Sequence, residues 1–488
     1  MGGLHPGHSQ LIKTAKSSQD NANPVVLVSV FVNPLQFGPK EDFENYPRNL
    51  AKDIEIACKS GAHAIWAPTK NQIFPGGTNS NFRLKVPKKL KKYLCGASRK
   101  NHFDGVATVM LHLLRHVQPN LLVLGEKDWQ QFVILRAMIR DLELPIKVLG
   151  VATCRDLDGL AYSSRNQYLS ASERAKALAL PFQLTKAAKD AYKSTRCDLD
   201  AIRSFLEQKG LEVEYLEVVD PQFLQPTHSS ANLSLLAAAV RSGTTRLIDH
   251  TFLMTRKPIV AIDGPAGAGK STVTRAFAKK LGLLYLDTGA MYRAVAWLIQ
   301  YKAIDPTNQK EVKQSLENLK LELEPCGDSP KVIINGHCVT DAIRSPKVTA
   351  IVSQIATQLS VREALTSQQK DMGVNGGLVA EGRDIGTTVF PDAELKVFLT
   401  ATTIERARRR KIDLTNQGFS SPDLNELEIE IRKRDEIDSS RDISPLIQAE
   451  DAIELITDGM AIEDVIGKIE ELFRLKIPEE VWPTPCSK

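Results

Sequence analysis

The sequence predicts two α/β units in series, and three observations predict it. Residues 264–271 read Gly264-Pro265-Ala266-Gly267-Ala268-Gly269-Lys270-Ser271. They match G-x-x-x-x-G-K-[ST], the loop whose backbone N–H groups cradle phosphates. The apolar run Ile259–Asp263 precedes it and a helical pattern over 271–281 follows, the strand–loop–helix order that this loop requires. Far upstream, His5-Pro6-Gly7-His8 sets two histidines three apart in a glycine-rich stretch. This is a second device of unrelated design. One fold does not need both, so the chain is expected to carry two enzymes.

The elements follow in order. Residues 25–32 (VVLVSVFV) read as a buried strand, 51–60 and 104–117 as helices, and 121–125 and 146–152 as further strands. Such alternation implies a parallel, doubly wound sheet over 1–152. A second, smaller α+β lobe is expected over 153–254. It has a charged helical stretch at 170–210, a strand at 212–220, and two strands within 233–253 that turn at Arg241-Ser242-Gly243. Thr255-Arg256-Lys257-Pro258 reads as the junction. The second unit is expected over 257–475, with a helix near 461–474. The Pro-rich residues 476–488 are expected to be disordered.

Composition bounds the function classes. The chain has 488 residues, a prior of roughly three domains. Hydrophobic content is 42% and charged content 25%, the mix of a globular protein. Net charge is +5 from 63 basic and 58 acidic residues, too balanced to argue for nucleic acid. Seven cysteines, at 58, 95, 154, 197, 326, 338 and 486, are scattered without C-x-x-C or zinc spacing, and read as reduced thiols. No apolar run has the length of a membrane span, and the first residues lack a signal pattern. A cytoplasmic protein without membrane or nucleic-acid partners is expected.

Two basic runs remain. Residues 85–92 carry five lysines with Leu84, Val86 and Leu90 interleaved, and read as a solvated helix face. Residues 404–411 hold Arg406, Arg408, Arg409, Arg410 and Lys411, and read as a charged helix face or an RNA-binding patch. A nucleic-acid surface built from both runs would show affinity that falls steeply with salt.

The chemistry of His5 and His8 suits an anion. With His8 at a helix start, both rings and the orphan N–H groups face one place, as stabilisation of a charged phosphate would require. The blocks around them are M-G-G-L-H-P-G-H at 1–8, F-V-N-P-L-Q-F at 31–37, Y-P-R at 46–48, C-G-A-S-R-K-N-H-F at 95–103, G-E-K-D at 125–128, Gln131, and S-S-R-N at 163–166. Over roughly 1–253 the chain resembles pantothenate synthetase. That family has a Rossmann-like domain and condenses pantoate with β-alanine. It uses ATP with Mg2+, passes through pantoyl adenylate, and releases pyrophosphate and then AMP.

The resemblance implies that Met1, Gly2, Gly3, Leu4, His5, Pro6, Gly7 and His8 bind ATP, with His8 as proton donor to the phosphates. Gly125, Glu126, Lys127, Asp128, Cys154, Tyr162, Ser163, Ser164 and Arg165 would complete that site. In it Lys127 neutralises phosphate and Asp128 holds the ribose. Gln36 and Gln131 would hydrogen-bond pantoate, with Asn33 and Tyr46 alongside, and Arg99 and His102 where the site closes. Asp53 would help hold the magnesium. A homodimer through this half is also implied. Tyr162 stands where the family has methionine, and Pro6 where it has glutamate. The family carries a strand and a Pro-Thr before the methionine of the first block, and here that methionine is Met1. The resemblance therefore implies a sheet without its central strand in the residues from Met1 on, so that either the start was set too late or this half is weakened. A second reading follows, in which only the kinase is active and the first half is a catalytically dead folding or dimerisation module.

In the second half, Ser271 of the glycine loop would ligate magnesium and Lys270 add a cation, with Thr272 next in line. The blocks Leu286-Asp287-Thr288-Gly289-Ala290-Met291-Tyr292-Arg293, Val361-Arg362-Glu363-Ala364-Leu365, Glu381-Gly382-Arg383-Asp384-Ile385-Gly386 and Arg434…Asp438…Arg441 resemble bacterial cytidylate kinase over about 257–475. The resemblance implies a P-loop nucleoside monophosphate kinase acting on CMP or dCMP with ATP. Arg293 and Arg383 would clamp the CMP phosphate. Ser353, Arg362, Asp384, Arg441 and Thr288 would read cytosine, and Arg434 and Asp438 the sugar. The run 404–411 becomes a lid that brings Arg406 and Arg410 to ATP. Residues 319–339 resemble the strand-rich insert of the long bacterial form. The expectation as a whole is a bifunctional ligase and kinase.

Overall fold

The computed structural model describes residues 2–17, 24–38, 41–78, 81–193, 197–227, 233–324, 331–416, 423–441 and 443–485. The chain divides into two compact units, one of 1–255 with 478–483 and one of 256–477 with 484–488. Met1, Cys326 and Cys486 lie outside the described residues.

In the first unit, β1 (Leu27–Ser29) pairs in parallel with β2 (Ala64–Trp66), and β3 (Leu121–Gly125) with β4 (Lys147–Val151). Among the described residues these are two separate two-stranded sheets, not the single sheet the alternation predicts. The strand expected over 25–32 is ladder-paired at only three residues. All five residues of β3, Leu-Leu-Val-Leu-Gly, are only half-buried. An apolar strand paired on both edges and covered on both faces would be fully buried. Here β1 and β3 each pair on one edge, and Ser29, Leu122, Val123 and Leu124 line a cavity.

The smaller lobe is antiparallel: β5 (Glu212–Val219), β6 (Leu233–Ser242) and β7 (Thr245–Met254) pair in that order. The Ser242–Thr245 pairing puts the two-residue turn at Gly243-Thr244, one position beyond the centre of the predicted one. Gly243 has φ +59°, the left-handed conformation that glycine adopts without strain. The lysine-rich run 85–92 is not a helix face. It is an irregular segment with one 3-10 turn at Lys88–Lys91: Val86 and Leu90 are buried in the core, and Pro87 between them has no N–H and disfavours helix at Val86.

The second unit is built on a five-stranded parallel sheet ordered β15 (Ile453–Ile456), β14 (Leu395–Thr400), β8 (Ile259–Asp263), β13 (Leu378–Gly382) and β9 (Leu284–Asp287). Central β8 is buried at every residue, as a parallel strand covered on both faces should be. Its carboxyl end delivers the glycine loop, which the helix Lys270–Leu281 follows. The insert is the antiparallel set β10 (Leu321–Glu324), β11 (Lys331–Ile334) and β12 (His337–Cys338), closed by Asn335-Gly336, both at positive φ. The last helix, Ile462–Lys476, is pinned by Phe473 packing edge-on to Phe277, both fully buried.

The tail is not disordered over its described residues. Val481 packs against the core of the first unit, and the N–H groups of Val481 and Trp482 close a turn on the Pro478 carbonyl. Thr484 accepts a hydrogen bond from Arg474 of the second unit. Specific burial and hydrogen bonds overcome a Pro-rich composition here. Among the described residues no helix is long and apolar enough to cross a membrane.

Candidate active sites

The first site starts at a helix end. His5 is the N-cap of the helix Pro6–Lys16, and His8 is its third residue. The His5 N–H donates to His8 Nδ1 at 3.3 Å, so a neutral His8 carries its proton on Nε2. The two rings are 4.0 Å apart, and His5 stacks on Tyr162 at 6.0 Å. His5 Nδ1 is buried without a partner. Burial, then Lys127, lowers His5 to about 4. Burial, then His5 and Lys127, lowers His8 to about 2. Both rings are therefore expected to stay neutral in the free chain above roughly pH 5. Nitrogen NMR of histidine-labelled protein checks this. Both should hold neutral-imidazole shifts from roughly pH 5.5 to 8, and a titration near 6.5 would contradict it.

A cavity of about 800 Å³ opens before these rings. The first helix supplies His5, Gly7 and His8 to its wall, and residues 33–46 supply Asn33, Gln36 and Tyr46. Gly125, Lys127, Asp128 and Gln131 enter from the end of β3, and Cys154, Tyr162, Ser163, Ser164 and Arg165 from the opposite loop. Ser164 Oγ donates to Tyr46 OH at 2.9 Å, and Arg165 forks onto Asp42 at 2.8 Å twice. Asn33 spends its polar atoms on the Leu35 N–H, the Gly105 carbonyl and Gln36 Oε1, and so holds the turn that presents Gln36.

Several expected residues serve the site from behind. Both oxygens of buried Asp53 accept backbone N–H groups, of Gly3 at 3.1 Å and Leu4 at 2.7 Å. Asp53 therefore anchors the first block and is not placed to hold magnesium. Glu126 is buried and does not line the cavity, contrary to an ATP contact; two backbone N–H groups occupy its carboxylate. His102 is buried behind Gln36. Its Nδ1 lies 2.7 Å from the Gln36 carbonyl and its Nε2 3.0 Å from Arg99 Nη1, so Nδ1 donates and Nε2 accepts. Burial, then Arg99, lowers His102 to about 4. Gly2, Gly3, Leu4 and Pro6 are supports rather than cavity wall.

Sequence reading missed Asp42 and Glu41, which pair with Arg165 and Arg99 across 123 and 58 residues. It also missed Arg241 and Arg246, which line the cavity and share Glu214. No local pattern announces pairs so distant in the chain.

The second site forms around the glycine loop. Gly264, Gly267 and Gly269 all have positive φ, and a Cβ on Gly264 would stand 1.9 Å from the Leu399 carbonyl oxygen. Lys270 is buried and donates to the Gly264 and Pro265 carbonyls at 2.7 Å each. Burial, then the field of Arg383, lowers its pKa. Asp263, at the end of β8, accepts the Ile385 and Gly386 N–H groups at 2.8 and 2.7 Å, which ties the loop to the 381–386 block. Burial raises its carboxyl to about 6 against those two bonds.

Across the loop, Arg362 donates to Asp384 at 2.6 Å, both buried. Arg383 donates to Asp438 at 3.0 Å, and Arg441 pairs with the same carboxylate. Arg293 meets Asp287 at 3.3 Å, and Thr288 donates to the Glu381 carbonyl at 2.6 Å. Nε of Arg293, Arg362 and Arg441 is buried without a partner in each case. Arg434 lies in the field of Arg383 and Arg410. Ser353 is exposed on the helix Pro346–Ala356. Arg406 is buried, reaches the Ala266 carbonyl at 3.1 Å, and is held by Asp435. Arg409, which the resemblance does not single out, donates to the Ala268 carbonyl at 3.3 Å. Ala266, Pro265 and Ala268 complete the loop, followed by exposed Ser271 and Thr272. Cations with unspent donors around an N–H-lined loop form a receptor for polyanions.

A parallel sheet that feeds a glycine loop and a convergent arginine cluster defines a P-loop phosphotransferase, joined here to a Rossmann-like unit with its own anion-directed site. The family model described as pantoate-beta-alanine ligase matches residues 1–252, and that described as cytidylate kinase matches 260–475. A "Bifunctional pantoate ligase/cytidylate kinase" of Prochlorococcus marinus strain MIT 9303 is 63% identical over 488 residues, covering all of both chains. One of Synechococcus sp. strain CC9311 is 58% identical, covering 99% of each. A pantothenate synthetase crystal structure from Thermus thermophilus is 38% identical with a TM-score of 0.48, covering 52% of this chain and 91% of that one. The chain belongs to the bifunctional pantoate ligase/cytidylate kinase family.

Proposed function

We propose that the two units run two independent ATP-dependent reactions, pantothenate synthesis in the first and CMP phosphorylation in the second. The chain is an enzyme with ligase and kinase activities. The observation that carries the two-site reading is that each unit has its own buried, unpartnered polar nitrogens: His5 Nδ1 in one, and the Arg293, Arg362 and Arg441 Nε groups in the other.

In the first unit, His8 is a neutral donor that offers Nε2–H to the ATP phosphates, while Lys127 supplies fixed positive charge. Gln36 and Gln131 hold pantoate so that its carboxylate attacks the α-phosphorus and pyrophosphate leaves. The amine of β-alanine then attacks the acyl carbon and AMP leaves. Ser163, Ser164 and Arg165 grip phosphate, and Asp128 the ribose.

In the second unit, the loop N–H groups and Lys270 hold the transferring phosphate, and Arg406, Arg409 and Arg410 close over it. Magnesium accompanies ATP. Its fit here is to hard oxygen donors, the Ser271 hydroxyl and the neighbouring Glu381 carboxylate, whose Oε2 is buried without a partner. The metal would neutralise phosphate charge. Among the described residues no cluster of three or more His, Cys, Asp or Glu is arranged to hold a metal by protein ligands alone.

Base choice tests the acceptor side. Asp384 would accept the cytosine amine, where UMP presents a carbonyl, and a site built for a donor rejects an analogue without one. Asp384→Asn is the informative change, because its amide oxygen can still accept from Arg362, whereas alanine would leave that buried guanidinium no acceptor at this position. The CMP/UMP ratio of kcat/KM is expected to fall roughly tenfold or more in the variant. An unchanged ratio removes Asp384 from base reading.

A further inference from the structure

Glu126 immediately precedes Lys127 and Asp128, which line the first cavity, but its own carboxylate faces the carboxy-terminal segment. Oε1 accepts the N–H of Glu479 and Oε2 that of Glu480, both at 2.9 Å. On its other side, a Cβ at Gly150 would stand 2.5 Å from Glu126 Oε1, so glycine at this position leaves the carboxylate the room it occupies. Burial lifts Glu126 to about 7 in spite of the two N–H donors.

Glu480 reaches the opposite wall of the same site. Its Oε2 accepts from Thr153 Oγ1 at 2.8 Å and from the Thr153 N–H at 3.4 Å. His250 Nε2 lies 3.4 Å from the same oxygen, and Arg155 Nη2 3.8 Å from Oε1. Arg155 in turn forks onto Asp249 at 2.7 and 3.0 Å. Thr153 and Asp249 both line the large cavity. Burial alone would raise the Glu480 carboxyl, but His250, Thr153 and Arg155 outweigh it and hold it at about 2. Val481 anchors the segment in the apolar core.

We propose that Pro478–Pro483 is a positioning segment of the first active site: it ties the Glu126–Asp128 turn to the Thr153–Arg155 loop, and so sets the spacing of the groups that grip ATP. Glu480 is its positioning residue. The residues that directly follow the kinase's last helix thereby complete the synthetase unit and govern a reaction that the first residues perform. The inference rests on the reading that the first unit forms pantothenate.

Two variants of the full chain test it, one ending after Ile477 and one carrying Glu480→Gln, which keeps shape but removes the charge. The shortened chain is expected to lose roughly tenfold or more in kcat/KM for ATP in pantothenate formation, since small misplacements of reacting groups cost that much. CMP phosphorylation should change less than twofold. Glu480→Gln should raise the KM for ATP without moving the KM for β-alanine, and it should lower the Tm, because the charge that His250 and Arg155 face is lost. It should also speed amide exchange at 125–128 and 153–155, a readout that does not depend on activity. Should the shortened chain fail to fold, Glu480→Gln decides. ATP parameters and exchange rates equal to those of the unmutated chain would overturn the proposal. Loss of all pantothenate formation in the unmutated chain would instead overturn the functional reading, and the exchange rates would still judge the segment.

Discussion

Replacing Lys270 by alanine is expected to abolish CMP phosphorylation and leave pantothenate formation nearly unchanged. Lys270 is buried under the glycine loop, and without phosphate its ammonium rests on the Gly264 and Pro265 carbonyls. Burial and the neighbouring Arg383 work against its charge more than Glu381 and Asp263 favour it, and a bound phosphate would favour it further. Removing one such preorganised contact to a transferring phosphoryl costs on the order of 100- to 1000-fold in kcat. The measurement is the rate of both reactions on one preparation. A comparable fall in both would show that the two units share a site, and the two-enzyme reading would be lost.

The second large effect is at His8. His8→Ala is expected to stop pantoyl-adenylate formation, by roughly 100- to 10,000-fold if the ring serves as donor in the transition state. CMP phosphorylation should be unaffected. Pyrophosphate release from ATP and pantoate, with β-alanine omitted, isolates this step. The geometry makes the prediction specific, because His8 Nδ1 is occupied by the His5 N–H and only Nε2 is left to donate. Release at the unmutated rate would exclude His8 from the first step.

Much of this was legible in the sequence where the signal is local. The glycine loop lay between an apolar run and a helical pattern, and both became the elements expected, at Ile259–Asp263 and Lys270–Leu281. Leu121–Gly125 was read to the residue. Other parts were not legible, for physical reasons. Asp53 was a metal ligand only by what the resemblance implies. Only the fold shows its two oxygens satisfied by Gly3 and Leu4. Glu126 sits inside a block of ATP-directed residues, and its side chain points the other way. Chain adjacency does not decide which side of a turn a side chain takes. The tail was read from its prolines, whereas its order comes from Glu126, Thr153 and His250, all far from it along the chain. The single parallel sheet expected for the first half is two strand pairs, because periodicity identifies strands without giving their partners.

Pyrophosphate release by the Lys270→Ala chain tests the independence of the two sites most directly. ATP and pantoate are supplied, and both β-alanine and CMP are withheld. With the kinase site disabled, every pyrophosphate formed must come from the His5–His8 site. Pyrophosphate should accumulate at the rate of the unmutated chain, in step with pantoyl adenylate. No pyrophosphate from either chain, with CMP phosphorylation intact in the unmutated one, would contradict the account and leave the first unit a catalytically dead module.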